Sequence, residues 1–417
     1  MQSNFFKRAI RKGIRIARAI LRIPRQEFSP APPQTEAIPT ESARPVTEYP
    51  TTANIPDLFD RFDQYETSVN LALRDLLKPG DVFFDVGANL GGLSVTGSRA
   101  VGPFGQVISF EVSPRIIPQL MANLRHWNAN NVFVIPNAVW NCSGDVIELF
   151  FGGAHYADTV YSSDENAVPD RLVKTVSLDD VVETLGRAPS VVKMDIEGAE
   201  LEALKGFKNT INAHHPALIL EANAYVPADT KPEHTVAGWL VQHGYSMFDA
   251  DNCQPFTPSS EPSDSRLINI ICIHKTDMER VHRYESVAIE TVKECTLSNM
   301  QTDAESVYFD FGEQPAGRYM IEFAPADTAL DDGNLTQMAT ITGPPWMPVN
   351  YHHSHWNHLS RSYKRQPFHL DLKGQVIVRF KDRPAEDLPH MLKSISLKRL
   401  MPNGPKATGW PKTKFRL

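Results

Sequence analysis

The chain has 417 residues, of which 41% are hydrophobic and 22% are charged, and its net charge is −7. The length exceeds one ordinary domain and the composition is typical of soluble globular proteins, so we predict two folded domains with tails. Residues 1–25 carry eight basic and no acidic side chains, which leaves −15 on the remainder of the chain. A body this acidic argues against nucleic acid as the main partner.

The N-terminal segment, residues 1–25, has the pattern of a basic amphipathic helix, with apolar side chains on one face and arginines on another. Arginines interrupt it too often for a membrane span, and it lacks the apolar core and cleavage site of a signal peptide. We expect it to lie on an anionic membrane surface, with a transit peptide or a helix docked on the acidic body as alternatives. Residues 26–54 are rich in proline and are predicted to form an extended linker.

Four cysteines are present, and none has the spacing of a CxxC or metal motif. We interpret them as reduced thiols, which predicts a cytoplasmic protein, peripheral at the inner face of a membrane if the N-terminal helix binds there. They are Cys142, Cys253, Cys272 and Cys295.

The first folded domain is predicted over residues 55–278, with a helix at 71–77 leading into the stretch that organises the chain. Residues 82–86 form a short apolar run, typical of a parallel strand buried on both faces, and a glycine-rich turn and a helix follow. Gly87 and Gly91 permit tight backbone geometry and close approach of a ligand. Asn89 lies in the same turn. The turn is neither the G-x-G-x-x-G dinucleotide pattern nor a P-loop.

Two acidic residues limit which ligands this turn could bind. Asp85 precedes the first glycine, where it would repel a pyrophosphate but suit a cationic group such as the amino acid end of S-adenosylmethionine. Glu111 ends the next predicted strand, 106–111, where a carboxylate can accept from both hydroxyls of a ribose. Glu66, before the first helix, is either a ligand for the amino group or a surface side chain.

Strand and helix patterns alternate from Asp85 to His274, which predicts a mostly parallel, Rossmann-like sheet with helices on both faces. Further strands are predicted at 131–139, 144–151, 172–176, 190–195, 217–221, 245–248 and 267–274. A helix capped by Ser177 fits the same pattern. Asp85, Glu111, Asp195 and Glu221 all end strands, so four acidic residues are expected on one rim.

Residues 62–275 resemble the FkbM family of S-adenosylmethionine-dependent methyltransferases. The resemblance rests on several motifs, of which the most specific is Lys193-Met-Asp-Ile-Glu-Gly-Ala-Glu200. The others are Tyr65-Glu66, 78–89, Phe110-Glu-Val-Ser-Pro114, Asn137-Ala-Val139 and Ser177-Leu-Asp-Asp180.

This resemblance implies a class I methyltransferase sheet with a reversed seventh strand, and methyl transfer, usually to a hydroxyl oxygen. By position, Asp85 and Gly87 would hold the methionyl end and Glu111 the ribose. Asn137 and Ala138 would lie beside the adenine, and Asp195 and Glu197 near the acceptor.

A sugar hydroxyl is a weak nucleophile, so its methylation benefits from a general base, and clustered carboxylates can raise one another's pKa into the useful range. Asp195 is the first candidate and Glu197 the second, with His155, His214 and His215 as alternatives. The carboxylate pair holding a divalent cation is a further alternative. We interpret Glu200 as a residue that caps and packs the following helix.

The sequence pattern changes in residues 288–402, where short segments of alternating polar and apolar residues are separated by glycine, proline, aspartate and asparagine. This pattern predicts an antiparallel β-sandwich, and by analogy alone a carbohydrate-binding module. The loop 346–358 combines aromatic residues with His352, His353, His355 and His358, and sugar or protein contact, packing and metal binding are all open for it. Residues 403–417 form a basic tail.

Two hypotheses of different classes follow. In the first, the chain is an O-methyltransferase of a sugar or glycan, such as a glycolipid or polysaccharide, near a membrane. In the second, the methyltransferase fold is a scaffold and the chain binds or assembles partners through its β domain. Methylation of a small secondary metabolite is a variant of the first, but it needs neither the β domain nor the basic N-terminus.

Overall fold

A computed structural model describes most of the two predicted domains. The described residues, 66–402 with internal gaps, all fall in one structural unit, Asp63–Leu417. They are residues 66–152, 158–161, 167–260, 267–303, 306–325, 339–342, 348–350, 365–370, 373–381, 385–386 and 388–402.

Several predictions concern residues outside these ranges. The basic helix 1–25, the linker 26–54, the start of the first domain with Tyr65, and the tail 403–417 lie outside them. So do His155 and the four histidines predicted in the loop 346–358, of which residues 348–350 alone are described.

The first domain alternates strands and helices as predicted. Its strands are β1 (Val82–Val86), β2 (Gln106–Phe110), β3 (Val132–Ile135), β4 (Ala138–Val139), β5 (Val146–Leu149), β6 (Arg171–Val176), β7 (Val191–Met194), β8 (Ala217–Asn223), β9 (Tyr245–Asp249) and β10 (Leu267–His274). Its helices are α1 (Thr67–Leu76), α2 (Gly92–Val101), α3 (Ile117–His126), α4 (Leu178–Leu185), α5 (Glu200–Lys205), α6 (Lys208–His214), α7 (Val236–Gln242) and α8 (Met278–Glu285).

The central sheet has the order β3-β2-β1-β7-β8-β10-β9. Strands β3, β2, β1, β7 and β8 are parallel, whereas β10 runs antiparallel between β8 and β9. The predicted class I sheet with its reversed strand is therefore confirmed. Because parallel strands share an edge at their carboxyl ends, the turns after β1, β2 and β7 meet at one place.

One predicted strand, 131–139, is divided in the structure into β3 and β4. Pro136 follows β3, and proline has no N–H to continue a ladder. After this break β4 pairs with β6, which also pairs with β5, in a separate three-stranded sheet. The break turns Asn137 away from the central sheet, and its amide donates to the Lys174 carbonyl at 3.1 Å.

The second domain is the predicted sandwich of two antiparallel sheets, with orders β11-β19-β14-β17 and β12-β13-β18-β15-β16. The two sheets share an apolar core that includes Phe309 and Val378 from one and Ile321 and Ile395 from the other. The strands are β11 (Val287–Thr296), β12 (Gln301–Thr302), β13 (Ser306–Gln314), β14 (Gly317–Pro325), β15 (Ala339–Thr342), β16 (Pro348–Asn350), β17 (Arg365–Leu370), β18 (Gly374–Lys381) and β19 (Leu392–Pro402), with a short helix α9 (Leu388–Met391).

The two domains share buried contacts along α1. Met320 of β14 and Leu400 of β19 belong to the same apolar core as Leu73 of α1 and Tyr284 of α8. Within this interface Arg318 pairs with Asp75 at 2.8 Å, and both side chains are only 4% exposed. Helix α1 is thus fixed by the second domain at its C-terminal end, while its N-terminal end carries Glu66.

Candidate functional site

The turn after β1 is packed tightly between its neighbours. A β-carbon on Gly87 would lie 1.8 Å from the backbone oxygen of Asp195, and φ at Gly87 is +79°. The N–H groups of Gly87 and Ala88 both donate to the Phe110 carbonyl, at 3.0 and 2.9 Å. Only glycine fits at position 87, which holds the backbone of this turn against the ends of β2 and β7.

Gly91 is the N-cap residue of α2. Its φ is +88°, and a β-carbon there would lie 2.6 Å from Leu120 Cδ1 of α3. Gly91 thus packs α2 against α3, and it is not among the residues that line the cleft described below.

Asp85 is fully buried at 0% exposure and does not line the cleft described below. Its Oδ2 accepts from Ser94 Oγ at 2.5 Å, and Ser94 Oγ lies 2.8 Å from Ser109 Oγ. Burial raises the pKa of Asp85, and the nearby Lys193 and Ser94 oppose that rise. In this structure Asp85 Oδ2 supports the turn from within, whereas its Oδ1 is buried and accepts no hydrogen bond from the described residues. Its contact with a methionyl group stays a prediction.

Glu111 lies at the end of β2, where its carboxylate is held by backbone donors. Asn89 N–H donates to Oε2 and Ser113 N–H donates to Oε1, both at 2.8 Å. Burial raises the pKa of Glu111, while these two N–H groups oppose the rise. The carboxylate is therefore fixed between the β1 and β2 turns with lone pairs left for further donors.

An open cleft of about 760 Å³, including solvent at its mouth, lies along these turns. It brings together seven of the ten predicted site residues: Gly87, Asn89, Glu111, Asn137, Ala138, Asp195 and Glu197. Other lining residues are Val86, Phe110, Val112, Ser113, Ile116, Val139, Leu149, Asp158, Val160, Ile196 and Ala199.

Unpaired acceptors mark the walls of this cleft. Asn89 Oδ1 and Asn137 Oδ1 are buried and accept no hydrogen bond from the part of the chain that the structure describes. Buried polar atoms without a partner cost about 1–3 kcal/mol each, so they indicate a ligand that donates. S-adenosylmethionine carries donors of this kind in its ammonium, ribose hydroxyl and adenine amine groups, and the lining residues fit it.

Lys193 is a buried cation that the sequence prediction did not assign. It lies on β7, is 3% exposed, and its Nζ lies 3.4 Å from both Asp195 Oδ2 and the Gly87 carbonyl. Burial lowers its pKa, but the carboxylates of Asp195, Glu66 and Asp85 outweigh burial and raise the pKa well above its usual value. The sequence does contain a signal for this buried cation, because a single lysine interrupts the apolar run of residues 190–194.

Glu197 occupies a strained position in the turn after β7. Its φ of +55° lies in the left-handed region, which non-glycine residues seldom adopt outside functional sites. Burial, followed by the carboxylates of Asp195 and Glu200, raises the pKa of Glu197 to about 7. A carboxylate with this pKa is half ionised at neutral pH and can take a proton from an acceptor.

Other carboxylates surround the pair at 195 and 197. Glu221, at the end of β8, has its pKa raised to about 8 by burial and by Asp195 and Glu197. Glu66 acts electrostatically on both Lys193 and Glu221 but does not line the cleft. The predicted convergence of acidic residues is thus present, with Lys193 at its centre.

Glu200 has the capping role that the sequence predicted. Its Oε1 accepts from the N–H of Ile196 at 2.9 Å and from that of Gly198 at 3.4 Å. These bonds close the turn that carries Glu197 and orient it toward the cleft.

Two of the three histidine alternatives, His214 and His215, lie away from the site. His214 ends α6 and His215 precedes β8, so both lie at the edge opposite the carboxyl end of β8. There His215 stacks on His274, with ring centroids 3.7 Å apart. They are wrong as candidate bases, because the strand places them a full strand length from Glu221.

No group of three or more His, Cys, Asp or Glu side chains is arranged to hold a metal ion within the described ranges. Among the described helices, none is long and apolar enough to cross a membrane.

Comparison with known proteins agrees with this geometry. A family model described as the methyltransferase FkbM domain matches residues 85–247. A second model, protein-L-isoaspartate(D-aspartate) O-methyltransferase, matches residues 2–146.

Hexuronic acid methyltransferase AglP of Haloferax volcanii is 30% identical over 154 residues. The match covers 36% of this chain and 59% of AglP, so the chain spans less than two thirds of the length of that relative.

Solved structures show low overall similarity. The FkbM methyltransferase of Methylobacillus flagellatus has a TM-score of 0.32 at 19% identity, covering 47% of this chain and 44% of that chain. Aeropyrum pernix fibrillarin with natively bound S-adenosyl-L-methionine has a TM-score of 0.30 at 14% identity, covering 51% and 76%. The sequence match over residues 85–247 is to the methyltransferase FkbM domain, and the strand order of the central sheet agrees with the fold that this resemblance predicts.

Proposed function

We propose that the chain is an S-adenosylmethionine-dependent O-methyltransferase that acts on a hydroxyl of a sugar or glycan. The observation that carries the proposal is Glu197, a cleft carboxylate whose pKa is raised to about 7. The cleft has unpaired hydrogen-bond acceptors and lies beside a carboxylate whose pKa is near neutral pH. This combination suits transfer of a methyl group to a hydroxyl.

The chain's own residues supply positioning and proton transfer. Glu111 and the side-chain oxygens of Asn89 and Asn137 accept from the cofactor, and Asp85 supports their turn from below. When bound, S-adenosylmethionine supplies an electrophilic methyl group: its carbon–sulfur bond breaks, the electron pair stays on sulfur, and a carbon–oxygen bond forms to the acceptor. Glu197 receives the proton that the acceptor hydroxyl loses.

Among the two predicted carboxylates, the contacts favour Glu197 over Asp195 as the base. Asp195 is ion-paired with Lys193 at 3.4 Å, so its charge is already balanced by a cation. Within the described residues Glu197 forms no ion pair, and it carries the raised pKa. We therefore assign Asp195 to orienting Lys193 and the β1 turn.

The sugar acceptor is supported by the relative whose name states a hexuronic acid substrate, and by the second domain, which a small diffusible acceptor does not need. A purely scaffolding role is disfavoured because a degenerate cleft would have no reason to retain buried unpaired acceptors.

The proposal is tested first by calorimetric titration of the full chain with S-adenosylmethionine and S-adenosylhomocysteine. We expect binding by the wild type, a loss of at least about tenfold in Glu111→Gln because a charged acceptor is removed, and no change in the exposed control Glu183→Gln. Absence of binding by a well-folded wild type would overturn the proposal.

We also propose that the basic segment 1–25 brings the enzyme to an anionic membrane that carries its acceptor. The test is sedimentation with phosphatidylglycerol vesicles and with neutral phosphatidylcholine vesicles. Binding to the anionic vesicles alone, lost on removal of residues 1–25, is expected. Equal sedimentation of the full and truncated chains would contradict it.

A further inference from the structure

Two aromatic residues, Trp140 and Tyr161, directly follow the cleft-lining residues Val139 and Val160. Tyr161 is 48% exposed, although most tyrosines of a folded domain are largely covered. Its ring centroid lies 6.2 Å from that of Trp140, at an interplanar angle of 47°. The two rings form a tilted pair, called here the aromatic rim.

The aromatic rim stands directly over the turn that carries the candidate base. A β-carbon placed on Gly198 would come within 3.8 Å of Tyr161 Cδ2, so the ring lies close above the exposed backbone at 198. Thr159 Oγ1 donates to the Glu197 carbonyl at 3.3 Å and accepts from the Tyr161 N–H at 3.1 Å. These bonds tie the backbone at Tyr161 to the backbone at Glu197, so a ring stacked on Tyr161 would lie next to the turn that carries the proposed base.

The charges around the aromatic rim determine whether a neutral or an anionic sugar ring can bind there. Three cations of this region are already engaged by acidic partners: Lys193 with Asp195, Arg115 with Asp158, and Lys205 with Glu202. Glu197, Glu200 and Glu221 add carboxylates that these cations do not balance. An anionic acceptor would therefore meet like charge without a spare cation among these residues, whereas a neutral ring would not.

We infer that Tyr161 and Trp140 form the acceptor subsite, which binds the apolar face of a neutral hexose ring and discriminates against a hexuronate. This inference rests on the proposed function and specifies its substrate class. In the reaction, the hexose hydroxyl gives its proton to Glu197 as its oxygen forms the new bond to the methyl carbon, and S-adenosylhomocysteine is the other product. Tyr161 is a specificity-determining residue that contacts the substrate and takes no part in proton transfer.

The test uses the full chain saturated with S-adenosylhomocysteine and saturation-transfer NMR of small glycosides. The probes are the methyl pyranosides of glucose, mannose and galactose, with the methyl glycosides of the matching uronic acids. We expect signals from at least one neutral glycoside, weakened by about tenfold in Tyr161→Ala and retained in Tyr161→Phe, since stacking needs the ring and not the hydroxyl.

Phe104→Ala is the matched control, because Phe104 is a 78% exposed aromatic side chain just before β2, at the opposite edge of the sheet. Stronger binding of the uronic acid probes, or equal neutral binding in wild type and Tyr161→Ala, would overturn the subsite while leaving cofactor binding intact. Failure of S-adenosylhomocysteine to bind the wild type would overturn the proposed function and this inference together, so the two failures are distinguishable.

Discussion

Two buried groups of charges sit at opposite ends of helix α1, and they differ in how their charge is balanced. At the C-terminal end, Asp75 and Arg318 form a one-to-one pair, each 4% exposed. At the N-terminal end, Glu66 joins a group in which one cation, Lys193, faces Asp85 and Asp195 as well. The first arrangement joins two domains, and the second leaves carboxylates in excess.

The difference explains where proton chemistry is available. In the interdomain pair each charge faces one opposite charge: burial raises the pKa of Asp75, and Arg318 opposes that rise. Around Lys193, burial and then the neighbouring carboxylates raise the pKa of Glu197 to about 7 and that of Glu221 to about 8. A balanced pair therefore stabilises structure, whereas an unbalanced group supplies a base.

We expect the largest effect from removing the cation of the balanced pair. Arg318→Met leaves Asp75 buried without its partner, and such a change costs about 3–5 kcal/mol of unfolding free energy. Urea denaturation followed by circular dichroism measures it.

Lys373→Met is the matched control for Arg318→Met. Lys373 pairs with Glu313 at 2.6 Å, but both side chains are 65% exposed. Exposed pairs contribute about 0–1 kcal/mol, so this variant should unfold near the wild-type midpoint. Similar losses in the two variants would show that the interdomain pair is no more important than a surface one.

Replacing the proposed base tests the unbalanced group. Glu197→Gln keeps the size of the side chain but cannot accept the proton, so turnover should fall by about 10²–10⁴-fold. Calorimetry should find unchanged affinity for S-adenosylhomocysteine, because Glu111 and the two asparagines remain. A variant with wild-type turnover would transfer the role of base to Asp195.

Features formed by a few adjacent residues could be predicted from the sequence. The β1 turn, Glu111 and the turn carrying Glu197 are each read from a few adjacent residues, and the alternation of strands and helices predicts their common edge. The break at Pro136 was also readable, since proline cannot continue a ladder. Treating residues 131–139 as one strand overlooked it.

Contacts between residues that are far apart in the sequence could not be predicted from it. Asp75 and Arg318 meet only because β14 packs against α1. The carboxylates that act on Lys193 are those of Glu66, Asp85 and Asp195, which lie at or next to the ends of α1, β1 and β7. The role of Lys193 therefore depends on how these three elements pack in the fold. The contact between Asp85 and Ser94 likewise joins two separate elements, β1 and α2, and could not be predicted from the sequence.

The pH dependence of stability provides a second measure of the unbalanced group. The pKa of Glu197 is about 7 in the folded chain against an ordinary value of 4.5, so the folded state binds this proton more tightly than the unfolded state. The associated stability is present below pH 4.5 and is lost as the pH rises to 7. Glu197→Gln should therefore be more stable than the wild type at pH 8, by about 1–2 kcal/mol after allowance for solvent screening, and similar at pH 4.5.

Thermal unfolding of the wild type and Glu197→Gln across pH 4.5–8 measures this effect. Equal stability of the two proteins at both ends of the range would show that Glu197 keeps its ordinary pKa in the folded chain, and the proposed base would lose its physical basis.

The smallest effect is expected at Glu200, which belongs to the same acidic group but accepts backbone N–H bonds at its Oε1. Glu200→Gln retains an oxygen for Ile196 and Gly198, so the unfolding free energy should change by less than about 1 kcal/mol. Its lost charge is one of those that raise the pKa of Glu197. The rate of methyl transfer should therefore keep its plateau while the midpoint of its rise with pH moves to lower pH. A plateau reduced as strongly as in Glu197→Gln would mean that Glu200 itself takes the proton, and that its capping bonds open during turnover.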